Sequence, residues 1–138
     1  MAITPSESQI EQLVADAGTD DGEVVMLNLL RFAATAGDGG GGSGQDAYAR
    51  YGAKVITMVE ERGGRVLWMG SPDQVVVGDV DADAWDAVAL VRYPNRAAFI
   101  DMVSQPSYTE AHEHREGGLE RTVLLAMTPA PGFAGADA

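Results

Sequence analysis

A few side chains in this sequence stand where chemistry could be done. Asn28 and Arg92 each interrupt an otherwise apolar run, Asp86 and Glu120 flank such runs, and the chain holds one pair of histidines, His112 and His114. A polar group inside an apolar strand must find a hydrogen-bond partner, because stranding one costs about 1–3 kcal/mol. Asn28, Arg92, Asp86 and Glu120 could therefore meet as the polar floor of a cavity. Arg92 and Asn28 would then orient a carboxylate or enolate oxygen while an acid or a histidine moves a proton. The alternative is structural: Arg92 pairs with Asp86 or Glu120, and Asn28 satisfies backbone groups beside a bulge.

Two histidines that are two residues apart lie on different sides of a helix, so one site cannot readily use both. His112 and His114 together with Glu110, Glu113 and Glu116 invite a metal reading, but a further ligand at fixed geometry is missing and no metal is expected. Trp68, Trp85, Tyr48, Tyr51, Tyr93 and Tyr108 could line an aromatic pocket, although aromatics at helix or strand spacing more often pack as core. Alternation along strands sorts the remaining candidates by face. Asn28 points with Met26 and Leu30, Trp68 with Val66, Arg92 with Asp86, Val88 and Leu90, and Thr122 with Glu120 and Leu124.

Other chemistries are removed by what the chain lacks. It has no cysteine, so thiol nucleophiles, thiolate metal sites and disulfides are excluded. No serine sits in a GxSxG setting. The four consecutive glycines from Gly39 to Gly42 are followed by neither a GK[ST] ending nor a GxGxxG spacing that opens a helix, so they read as a flexible loop over 33–45 rather than a phosphate cradle. The net charge of −12 repels nucleic acid and anionic membranes. No apolar run approaches the roughly 20 residues that span a bilayer, and the start lacks the pattern of a secretion signal, so a cytoplasmic protein with no membrane or nucleic-acid partner is expected.

At 138 residues the chain has the length of one domain. Ile10, Leu13, Val14 and Ala17 recur at helical spacing in an N-terminal leader over 1–22, ended by Gly18. A domain over 23–128 follows. Its elements are a strand at 24–30, a helix at 46–61 closed by Gly63 and Gly64, a strand over Arg65–Gly70 with a continuation or second short strand at 74–78, and a strand at 85–93. Helical pieces through Val103 and over 106–116 come next, the second stopped by Gly117 and Gly118, and then a last strand over Leu119–Met127. Residues 129–138 read as a disordered tail. Strand, helix, strand, strand, helix, strand is the split βαβ order of an α+β, ferredoxin-like domain: a four-stranded antiparallel sheet with helices on one face. Strands this apolar on both sides need a second cover, and a twin sheet supplies it, so a homodimer is expected.

Several blocks in order resemble one group: 25–32, Tyr48 with Tyr51 and Gly52, Gly63 and Gly64, Trp85 with Asp86, 91–96, Phe99, Met102, and 114–122. They are similar to the domain-of-unknown-function family numbered 1330, within the dimeric α/β-barrel superfamily. The resemblance implies a ferredoxin-like fold, paired sheets forming a dimeric barrel, and a cavity between sheet and helices or inside the barrel. In the matching block His114 precedes Arg115, which makes it the preferred titrating group; otherwise it is a surface or helix-terminal histidine. The expected site is thus His114, Arg92 and Asn28 as polar groups, with Trp68, Asp86, Tyr48, Glu120 and Thr122 contacting a ligand. Two functions follow: an enzyme without metal or organic cofactor that works by proton transfer or oxygenation on a small metabolite, or a noncatalytic small-molecule-binding or assembly module. Fold analogy alone does not choose between them.

Overall fold

A computed structural model describes residues 3–133. Helix α1 spans Glu7–Thr19, strand β1 Val24–Phe32, helix α2 Gly44–Glu61, strand β2 Arg65–Gly70 and strand β3 Ala87–Tyr93; helices α3 (Arg96–Val103) and α4 (Pro106–Gly118) and strand β4 (Leu119–Met127) complete the order. Local chemistry starts these helices. Ser6 with Gln9, and Ser43 with Asp46, form reciprocal capping boxes, Asn95 caps α3 through the Ala98 N–H, and Pro106 opens α4. Helix α2 ends on Gly63 at φ 80°, with the Gly63 and Gly64 amides returned to the Glu60 and Val59 carbonyls, a turn that a side chain with a Cβ adopts only under strain.

The sheet is antiparallel in the order β2-β3-β1-β4. This is the expected α+β, ferredoxin-like architecture. Val24, Met26 and Leu30 of β1, with Ala87, Ala89 and Tyr93 of β3, are buried beneath the helices. Val55, Met58 and Val59 of α2, Met102 of α3 and Ala111 of α4 close over Val24, Met26 and Tyr93. A second, smaller cluster joins Leu30, Ala87 and Leu119. The opposite face has no cover: Trp68 is 54% and Leu125 46% exposed.

Three local expectations are corrected. Residues 74–78 form no strand, and Val76 and Val77 are almost fully exposed; an extended segment with no neighbouring strand has no ladder to join. Gly117 and Gly118 do not stop α4 but belong to it, because a Cβ at Gly117 would meet Asp38 and one at Gly118 would meet Gly44 and Tyr48. The glycine-rich loop is fastened rather than loose: the Gly37 amide donates to the Gly117 carbonyl, Ala33 to Gly118, Ala36 to Gly42, and Gly44 back to Ala33. Of the expected tail, residues 134–138 lie outside the described residues, while the Phe133 amide donates to the Ala130 carbonyl in a turn.

The start of α2 is the tightest of these junctions. A Cβ on Gly44 would land against the backbone of Ala33 and the Gly118 carbonyl. Gly44→Ala should therefore destabilise the fold by about 1–3 kcal/mol, the usual cost of overpacking. Thermal unfolding reads this as a midpoint several degrees lower, whereas Gly18→Ala, with open space around it, should leave the midpoint within about a degree.

Candidate functional site

Register decides which candidates can meet. In β1, Asn28 pairs with Ala89 of β3 and Leu124 of β4, and all three face the helices. Arg92 pairs with Val25 and faces the open side. Asn28 and Arg92 therefore stand on opposite faces of one sheet and share no site. The expected polar floor is not formed, because directly paired residues in an antiparallel ladder point the same way and the pairing sets odd β3 residues against even β1 residues.

Each member of that floor has another task. Arg92 places Nε 3.0 Å from the Glu23 carboxylate and donates through Nη1 to the Gly63 carbonyl at 3.0 Å, tying the start of β1 to the turn after α2. Asp86 accepts from the Phe32 amide at 2.8 Å while its own amide donates to the Leu30 carbonyl, which extends the β1–β3 pairing by a residue. Glu120 is exposed: a bulge between Arg31 and Phe32 leaves it as the extra residue of β4 and returns Leu119 to the core. A second bulge, between Val66 and Trp68, moves Trp68 off the face of Val66 and sets it opposite Leu90 on the open side. Strict alternation could not anticipate either bulge.

His114 stands apart as well. Its Nδ1 lies 2.7 Å from Asp38 of the glycine-rich loop, and Arg50 of α2 grips the same carboxylate at 2.9 Å through Nε and 2.8 Å through Nη2. The Asp38 side chain is closed off from solvent. The Arg50 guanidinium first, then His114, then the Gly40 amide hold the Asp38 acid well below the usual carboxylate range. This cluster is a latch that pins the loop to α2 and α4. Beside it lies a cleft of about 520 Å³ lined by Glu113, Glu116 and Asp38 together with Thr35, Gly37 and Gly117.

Tyr48, Thr122 and Asn28 all lie between the sheet and the helices, along a polar seam: Thr122 pairs with Leu30, Tyr48 packs on the Leu30 cluster, and Asn28 is two residues earlier on the same face. Asn28 lies between Met26 of the larger core cluster and Leu30 of the smaller. Its amide donates to the Met26 and Ala89 carbonyls only at 3.4 Å, the long end for a hydrogen bond. The Tyr51 and Tyr108 hydroxyls meet at 3.0 Å, and the Tyr48 ring packs on Tyr51 and on Phe32. Burial first, then neighbouring Tyr108, pushes the Tyr51 phenol well above its ordinary value; burial likewise raises Tyr48, against an opposing pull from Arg115. Both are neutral O–H donors at physiological pH. Leu124, paired with Asn28 on this side, is 43% exposed, so the helix layer covers the β4 edge only in part.

Two groups at the seam were not among the expected site residues. Arg115 is 5% exposed and donates to the Thr122 hydroxyl at 3.4 Å and to the Ile3 carbonyl at 3.1 Å. His112, not His114, packs on Tyr108 at 5.7 Å between ring centroids, with its Nδ1 2.8 Å from the Glu116 carboxylate. The Glu116 partner holds the ring by one nitrogen. The one available signal was the spacing of Tyr108, His112, Arg115 and Glu116, which recur at three and four along one helix. Among the described residues no group of three His, Cys, Asp or Glu side chains could hold a metal ion, and no helix is long and apolar enough to cross a membrane.

The latch carries a pH signature. A carboxyl whose acidity is strengthened by folding contributes stability that is complete above its unfolded value of about 3.9 and fades as pH falls through that range toward the folded value. The gap in urea-unfolding free energy between wild type and Asp38→Asn should therefore be full near pH 5 and shrink below about pH 4. A gap that grew on acidification would contradict the latch.

Comparison with known proteins places this geometry. A protein of unknown function from Rhodopseudomonas palustris matches with 34% identity over 93% of this chain and 96% of its own, at a TM-score of 0.86. The hydroxynitrile lyase of Passiflora edulis shares 14% identity over 83% of this chain and all of its own, at 0.58; a dabb family protein with a ferredoxin-like fold from Mesorhizobium loti shares 9% over 79% of this chain and 98% of its own, at 0.52. These last two likenesses show the fold alone. No curated protein matches the chain. The family described as a domain of unknown function, DUF1330, matches residues 43–128, which hold the tyrosines, Arg115 and Thr122, and this chain belongs to it.

Proposed function

We propose that this chain binds a small oxygen-bearing metabolite in the tyrosine seam and works as a homodimer, with His112 and Glu116 serving proton transfer on the bound molecule. The observation that carries the reading is the seam itself. The phenols of Tyr48, Tyr51 and Tyr108 lie on the helix-facing side of the sheet with the polar side chains of Thr122 and Asn28, against otherwise apolar core clusters, and Leu124 on the same side is 43% exposed. Buried donors of this kind hold a carbonyl, enolate or carboxylate oxygen, and they strengthen as negative charge develops on it. No step here calls for a cofactor. The alternative, a noncatalytic binding module, draws on the direction of the carboxylates: Asp38, Asp86 and Glu23 are each engaged away from the seam.

The dimer reading rests on the open face. Val25, Leu27 and Leu29 of β1, Val88 and Leu90 of β3, and Trp68 and Leu125 beside them form an apolar layer with no helix over it. At one end of that layer Trp85 is held between Arg121 and Arg31, whose guanidinium carbons lie 4.4 and 5.8 Å from its ring centre, and both arginines reach the carbonyls of the 79–86 turn. A second sheet laid on this face would bury what a solvated monomer exposes, at about 25 cal/mol per Å² of apolar surface.

Two measurements test the reading. Sedimentation should find a dimer at micromolar concentration, and Trp68→Glu should shift it to monomer; a wild-type monomer would remove the assembly. For the seam, a panel of small keto and hydroxy acids should raise the thermal midpoint of wild type, and Tyr51→Phe should weaken that rise. Wash-in of solvent deuterium beside the carbonyl of a bound keto acid, followed by proton NMR, should slow at least about ten-fold in His112→Gln, in the range lost with a general acid or base. Binding without any wash-in would favour the noncatalytic module.

A further inference from the structure

The seam contains a charge with no countercharge. Arg115, in the last turn of α4, is 5% exposed. Arg50, Arg62, Arg92 and Arg96 each face a carboxylate within 3.3 Å, namely Asp38, Asp101, Glu23 and Asp20. Among the described residues no carboxylate reaches Arg115, although the chain carries 21 acidic residues to choose from. A guanidinium taken out of water costs several kcal/mol unless it is paired. The C-terminal end of α4 offsets part of that through its carbonyl dipoles. What remains is met by neutral oxygens: the Thr122 hydroxyl, which gives its own hydrogen to the Leu29 carbonyl at 2.8 Å, the Ile3 carbonyl and the Tyr48 hydroxyl. A guanidinium offers five N–H donors, and every oxygen they meet here is uncharged.

The Ile3 carbonyl is an odd partner for a buried cation. It belongs to a short strap ahead of the Ser6 cap of α1, and the Ile3 side chain packs on the Leu30, Ala87 and Leu119 cluster beside Phe32 and Tyr48. Helix α1 behind it buries no residue fully; Leu13 on the core, packing against α3 and the Arg96–Asp20 pair at 3.3 Å are what hold it. The strap is thus lightly fastened, and it sets a neutral oxygen where a charged one would bind about twice as strongly.

We infer that Arg115 anchors the carboxylate of a small aromatic or enolic monocarboxylic acid, and that the Ile3 carbonyl occupies the anchor until that acid displaces it. The inference rests on the seam being a ligand site. One buried cation matches one negative charge, and the field of a chain with net charge −12 disfavours dianions such as phosphate esters. The ring or enol of the acid would lie against Tyr48 and Tyr51, whose protonated phenols donate to it. Thr122 and Asn28 stand on the strand side, within the same seam.

The test uses the full chain with three probes: benzoate, its neutral isostere benzamide, and phenyl phosphate. Benzoate should bind at least about ten-fold more tightly than benzamide, the size of effect expected of one charge-assisted pair. Phenyl phosphate should be the weaker of the two anions. In wild type, benzoate should shift the Arg115 Nε–H resonance, a measurement that requires no variant to fold. Ile3→Gly should tighten benzoate several-fold. In Ile3→Cys, the only thiol in the chain, benzoate should speed thiol labelling, as should Arg115→Met without any ligand. Equal binding of benzoate and benzamide at the tyrosines would overturn the anchor while leaving the seam intact. Probes that leave the Tyr51 and Tyr108 signals unmoved would sink the seam and the anchor together. Benzoate that binds tightly without changing the labelling of Ile3→Cys would remove the strap from the proposal.

Discussion

The pairing of β1 with its two neighbours is the constraint on which the rest depends. Seven consecutive residues of β1, Val24 to Leu30, are locked to β3 in one register, and most of them are locked again to β4. A slip of one residue would exchange every inward and outward side chain, taking Val24, Met26 and Leu30 out of the core. That register also sends Asn28 inward to the seam and Arg92 outward. The two bulges then act as local corrections: one re-aims Trp68 to the open face, and the other turns Glu120 out and Leu119 in. Fold and site thus share a single geometric cause.

The helix layer divides its work along its length. At the end where β1 begins, Met58, Val59 and Met102 pack Tyr93 and Val24 into a dry cluster. Toward the other end, Tyr48, Tyr51 and Tyr108 of α2 and α4 replace aliphatic side chains, and the core becomes hydrogen-bonding. Buried polar groups are tolerated when satisfied and hold a unique arrangement at some cost in stability. The cost is visible in Asn28, with two long bonds, and in Arg115, with neutral partners only. A long bond and a cation without a countercharge are where a ligand gains most from binding.

Around this seam the backbone is drawn tight. Helix α4 approaches the start of α2 so closely that Gly44, Gly117 and Gly118 have no room for a Cβ, and the Asp38 latch with Arg50 and His114 closes the loop over that contact. The loop that looked like a flexible insertion is therefore part of the frame that holds Tyr48 and Arg115 toward one another. His114 acts in that frame, while His112, two residues earlier, turns to the tyrosines.

Element order was legible in the sequence because each element announces itself within a few residues. Ser43 and Asp46 cap a helix, Gly63 ends it, Pro106 begins another, and near-continuous apolar runs such as Val24 to Leu30, bounded by polar residues, have the length of buried strands. Those are interactions between near neighbours, and the split βαβ order with its ferredoxin-like sheet follows from them. Asn28 was within reach for the same reason, since alternation groups it with the apolar Met26 and Leu30, and Tyr48 and Tyr51 lie at helical spacing. The tertiary structure decided everything that depends on residues far apart in the chain: that Glu23 rather than Asp86 or Glu120 faces Arg92, that Asp38 takes up His114, that a bulge moves Trp68, and that Arg115 is buried beside Ile3, 112 residues away. Periodicity repeats every two or four residues and says nothing about register between strands. Only packing the whole chain at once selects which of two mirror choices of face, and which partner for each charge, the protein adopts.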